Sequence, residues 1–177
     1  MAPRDRQLLV LIGGVSFAAA LAAHFAIQGG TLFLRAGDVS SGVIGLLSVA
    51  AIPYTLRFLW APLVDRNPLG RHGRYSGWIV WTQAATCLAM AALALSDPVE
   101  SPGVIVALIS LFMIARGTQV TAVSGLMTAG LSQAAYPNGS STQAATSALG
   151  AVFLGEAVLY LLADMGWIVV AATLSVF

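Results

Sequence analysis

Residues 53–66 read PYTLRFLWAPLVDR. Arg57 stands between Pro53 and Pro62 in strongly apolar company, and the stretch closes on the pair Asp65-Arg66. The surroundings explain why a cation there is informative. Hydrophobic residues make up 58% of the 177-residue chain, charged residues only 8%, and the mean hydropathy is +0.87. Such a composition belongs to a multi-span membrane protein rather than a water-soluble domain. A helix crossing the roughly 30 Å hydrocarbon core needs about 20 mostly apolar residues. Windows of that kind lie at about 7–28, 43–64, 77–96, 103–128 and 143–163, and a sixth runs over 165–177. The expected fold is therefore all-α, a polytopic membrane helix bundle of five full spans plus a short sixth, forming a single integral membrane domain over 1–177. The first window is as long as a span and ends in His24, Gln28 and Gly29-Gly30 rather than at a small-residue cleavage site, so it reads as a helix of the bundle.

All the basic residues other than histidine are arginines. Arg4, Arg6, Arg66, Arg71 and Arg74 fall at the N-terminus or after the second window, against Arg35 in the opposite connections. The positive-inside rule then puts the N-terminus in the cytoplasm. The net charge of +1 says little about partners, and no basic run is long enough for a nucleic-acid surface. Cys87, the single cysteine, lies inside the third window; no disulfide framework or Cys/His metal spacing exists, and no cofactor or metal is expected. His-Glu-x-x-His, Gly-x-Ser-x-Gly and paired intramembrane aspartates are likewise missing, so the chain does not read as an enzyme. Tyr136-Pro137-Asn138-Gly139 reads as a turn in an uncharged connection over 130–142.

Ionisable and amide groups inside the spans are the candidate site, because an intramembrane charge is costly and finds a partner or water. Arg116 and Gln119 lie near the middle of the fourth span, Glu156 in the fifth and His24 towards the outer part of the first. Arg116 and Glu156, on neighbouring spans, are expected to pair, either as part of a solute site or as a bridge that fixes packing. His24 reads as an interfacial group, with a proton relay as the alternative. Arg57 is about seven residues from the cytoplasmic end of its span, so its head can snorkel there as an anchor beside Trp60 or serve as a gate or anion contact. Small residues such as Gly13-Gly14, Gly150 and Gly155 allow close helix approach.

Asp65-Arg66 followed by Gly70-Arg71 and Arg74 resembles the conformational loop between the second and third helices of the major facilitator superfamily. The longer string 53–66 with GRHGRYSGWIVWTQ at 70–83 is similar to one branch, the muropeptide permeases, acetyl-CoA transporters and siderophore permeases. That resemblance implies the N-terminal half of a facilitator fold in a bacterial plasma (inner) membrane, moving an amphipathic solute by alternating access with a second half. It also implies that Asp65, Arg66, Gly70, Arg71 and Arg74 form the loop that couples helix movements. The branch carries acids in its fourth helix, in a pattern like Ser-Gln-Asp-Ile-x-x-Asp-Ala. Here the stretch is GTQVTAVSG at 117–125, where Gln119 matches and Val120 and Ser124 replace the acids. A facilitator half that has lost transport and scaffolds a larger membrane complex is the competing expectation. The sixth window covers only about 20 Å at roughly 1.5 Å per residue. Completion by a further segment or by a partner, a homo- or hetero-oligomeric second half or a larger complex in the lipid bilayer, is therefore expected.

Overall fold

The computed structural model describes residues 2–69, 73–97, 100–154, 157, 160 and 165–175. The described residues are helices and short connections. Helix α1 spans Pro3–Ala36, α2 Ser41–Leu59, α3 Ala61–Arg66, α4 Arg74–Leu95, α5 Pro102–Gly130, α6 Tyr136–Ala148 and α7 Trp167–Leu174. Among the described residues, α1, α2, α4 and α5 are long and apolar enough to cross a membrane. The chain is a helical membrane bundle, whose intrahelical hydrogen bonds satisfy the backbone in hydrocarbon.

Two expected boundaries are corrected. The Gly29-Gly30 pair does not end the first helix, which runs on to Ala36. Its glycines are absorbed by a π turn at Phe25–Gly29, and Gly30 is covered by Ile109 and Leu47, so tertiary packing outweighs the poor helix propensity of glycine. Tyr136–Gly139 is not a turn but the first turn of α6. Pro137 occupies an initial position where a missing N–H costs nothing. Gly139 fits beneath Leu131 and Met127, where a β-carbon would meet the Leu131 side chain at 2.5 Å. The expected connection over 130–142 contracts to 131–135.

Prolines shape α2 as the opening stretch suggests. The helix is regular over Ser41–Ala50, restarts at Ile52–Thr55, tightens to a 3-10 turn at Leu56–Leu59 and resumes as α3 after Trp60. Pro53 and Pro62 each begin one of the short segments, where their rings do not clash with a preceding turn.

Helix α5 is the hub, packing on α1, α2, α3, α4 and α6, while α4 also holds α7. Two apolar clusters divide the interior along the bundle. One gathers Phe25, Leu34, Leu47, Leu93, Ile109 and Phe112, and the other Ile12, Val64, Ile79, Val123, Met127 and Leu131. Between them, in register on three helices, lie the buried polar side chains Ser16, Thr82, Thr86, Arg116, Thr118 and Gln119. The threonines return their hydroxyls to carbonyls of their own helix, Thr82 to Trp78, Thr86 to Gln83 and Thr118 to Ile114, which leaves the charged group as the costly member of the belt.

Glycine seals the α1–α6 contact. A β-carbon at Gly13 would stand 3.2 Å from the Thr142 methyl, and one at Gly150, in the π turn Leu149–Leu154 that extends α6, would stand 2.6 Å from the Phe17 carbonyl oxygen. Asp5 fastens α1 to the connection between α5 and α6. Its buried carboxylate accepts from the Ser132 N–H at 3.3 Å and from the Ser132 hydroxyl at 2.9 Å.

Candidate functional site

At the polar belt lies an open cavity of about 390 Å³. α1 brings His24 and Gln28, α2 brings Tyr54, α5 brings Met113 and Arg116, and α6 brings Ser147. The sequence expectations for Arg116 and His24 thus meet in one hollow, and Tyr54 joins them. His24 and Gln28, four residues apart, share one face of α1 and both line the cavity wall. Arg116 is 7% exposed, with Tyr54 as a favourable electrostatic neighbour and Arg57 as an unfavourable one. Glu156, its expected partner, lies outside the described residues.

Ile27 and Gln28 also line a wider hollow of about 900 Å³ with Thr31, Arg35, Asp38 and Ser48 at the end of the bundle that carries Asp38. On the opposite side of Arg116, α2 crosses α5 at Gly117. A β-carbon there would lie 3.3 Å from Arg57 Cβ and 3.5 Å from Tyr54 Cα. Trp60 locks this crossing by donating its indole N–H to the Thr118 hydroxyl at 3.0 Å. Beyond it opens a third hollow of about 440 Å³, lined by Arg57, Asp65, Tyr75, Val120, Thr121 and Ser124 among others. The two positions at which the resemblance expects acids, Val120 and Ser124, are on that wall.

Arg57 stacks its guanidinium 4.6 Å from the centre of the Tyr54 ring and donates to the Tyr54 carbonyl at 3.2 Å. It therefore sits on the far side of the crossing from Arg116, with the Tyr54 side chain belonging to both neighbourhoods. Gln119 is elsewhere. Fully buried, it donates its amide to Gln83 Oε1 at 2.6 Å and joins α5 to α4, away from the described cavity wall.

Of the conformational-loop residues, Gly70 and Arg71 lie outside the described residues. Asp65 accepts from the Tyr75 hydroxyl at 3.1 Å, while Arg66 and Arg74 are exposed at the ends of α3 and α4. The Trp78 indole donates to the Asn67 carbonyl at 2.7 Å, drawing the connection over α4. Two glycines that sequence reasoning passed over make this possible. Gly73 has φ +95°, and Gly77 lies directly beneath the Leu69 carbonyl, where any β-carbon would collide with it. Asp5 was also missed; its partner Ser132 is 127 residues away, and no local pattern announces it.

Comparison with known proteins places this geometry in a family. A stretch of 98 residues, 54% of the chain, is 34% identical to the anhydromuropeptide permease of Escherichia coli strain K12, and covers 19% of that protein. The same identity and coverage hold for the anhydromuropeptide permease of Escherichia coli O157:H7. A protein of Haemophilus influenzae called simply "Uncharacterized protein" is 31% identical over 88 residues, 50% of this chain and 21% of that protein. The aligned stretch thus spans about a fifth of the length of these relatives. Residues 25–113, which carry Tyr54, Arg57 and Asp65 but stop short of Arg116, match the family described as "Acetyl-coenzyme A transporter 1". By that match over half its length, the chain belongs to the acetyl-coenzyme A transporter 1 family.

Proposed function

We propose that this chain is the N-terminal half of a major-facilitator permease, a transporter rather than an enzyme, residing in a bacterial inner membrane. It moves an amphipathic solute, muropeptide- or siderophore-like, by alternating access together with a second half. The observation that carries the reading is the series of hollows along the bundle. The Arg116 cavity shares Gln28 with the hollow at the Asp38 end, and the Tyr54–Gly117 crossing separates it from the hollow at the Asp65 end. A central site closed towards one side by a helix crossing is what alternating access requires. The names of the Escherichia coli relatives support a muropeptide-like cargo.

Reconstituted vesicles provide the test. With a second six-helix half present, radiolabelled anhydromuropeptide should accumulate over protein-free vesicles; accumulation indistinguishable from those controls sinks the permease reading. A second reading, a transport-inactive subunit that scaffolds a larger membrane complex, is favoured by Val120 and Ser124 lining the hollow where acids were expected. It expects the chain to co-purify in fixed ratio with an unrelated assembly and to leave the vesicles empty.

A further inference from the structure

We propose that the Arg116 cavity holds its solute by an anionic group, a carboxylate or a phosphate, placed against the Arg116 guanidinium. The proposal rests on the permease reading and adds the chemistry of recognition to it. A guanidinium withdrawn from water needs a counter-charge or several acceptors, and Arg116 is 7% exposed at the level of the polar belt. The described lining offers acceptors but no counter-charge. Its polar members besides Arg116 are His24, Gln28, Tyr54 and Ser147, with no carboxylate among them. Asp65 belongs to the next hollow and is engaged by Tyr75.

Arg57 stands close enough to repel Arg116, so the crossing presents two cations around one tyrosine. A planar guanidinium can take a carboxylate or phosphate through two parallel hydrogen bonds, which fixes orientation as well as charge. The rest of the wall is apolar or hydroxylic, with Ala20, Ile27, Ala51 and Met113 beside Ser147 and Gln28. It suits the uncharged body of an amphipathic molecule, and a volume of about 390 Å³ falls within the range of small-molecule sites. Arg116 lies three residues beyond the stretch 25–113 that matches the family.

Three sugars on the same ring make the test. N-acetylglucosamine is neutral, N-acetylmuramic acid adds a carboxylate, and N-acetylglucosamine 6-phosphate adds a phosphate. Binding of each to the full chain in lipid nanodiscs is measured by calorimetry. At least one charged sugar should bind about tenfold or more tightly than the neutral one, and which one shows whether carboxylate or phosphate is read. Arg116→Gln should abolish that preference, and Arg116→Lys should restore part of it. Equal binding of all three sugars, or a preference that survives in Arg116→Gln, overturns the anion proposal and leaves the permease reading intact. Binding of none of them by protein with an unaltered thermal transition overturns both.

Discussion

Helices α5 and α2 cross at Gly117, yet they are built on opposite plans. Half of the membrane window of α5 is buried, against 11% for α2. α5 runs unbroken from Pro102 to Gly130, whereas α2 is interrupted around Pro53 and continues past Trp60 only as the short α3. Each brings an arginine to the crossing. Arg116 is carried by the helix that every large neighbour clamps, and Arg57 by one held through fewer side chains, with the Trp60 indole locking the crossing. The contrast separates a fixed charge from a pliable one. It follows from packing rather than composition, since both helices are apolar.

Phenylalanine on the two helices gives the widest separation. Phe112, fully buried on α5, should cost about 3 kcal/mol of unfolding free energy when replaced by alanine, because the neighbours cannot collapse into the void. Phe58 on α2 is 64% exposed, and Phe58→Ala should cost less than about 0.5 kcal/mol. Reversible denaturation in mixed micelles measures both, and equal losses would break the comparison. Next come glycines. Gly117→Leu overpacks the crossing and should cost about 2 kcal/mol, whereas Gly45→Leu on α2, with open space around its β-position, should be neutral to within about 0.5 kcal/mol. A destabilised Gly45→Leu would mean that α2 is covered on that side by a partner. The smallest effect concerns Gln119. Gln119→Leu removes the hydrogen bond to Gln83 and should cost about 1 kcal/mol without changing uptake or sugar binding. Lost uptake at unchanged stability would instead bring Gln119 into the solute path.

Four spans, those near 7–28, 43–64, 77–96 and 103–128, were legible because hydrocarbon leaves the backbone few choices; their ends were not. Gly29-Gly30 and Tyr136–Gly139 carry residues that break helices in water, yet Gly30 is covered by Ile109 and Leu47, and Pro137 sits where a helix tolerates proline. The site was half legible. Arg116 and His24 stood out as polar groups in apolar windows, and the cavity unites them. Tyr54 did not stand out, although its spacing of three from Arg57 puts the two on one helix face. Gln119 looked like a companion of Arg116, but three residues leave two side chains about 60° apart around a helix. At the border between α4 and the cavity, that angle decides which of them faces the hollow.

The glycine contacts between α1 and α6 also bear on movement. With Gly13 against the methyls of Thr142 and Thr146, and Gly150 against the Phe17 carbonyl, a slide of one helix along the other would drive methyl groups into backbone. His24 and Ser147 therefore belong to a single jaw two helices thick. Tyr54, across the hollow, rides on the thinner jaw, so changes in the width of the cavity fall to α2 and the prolines that segment it.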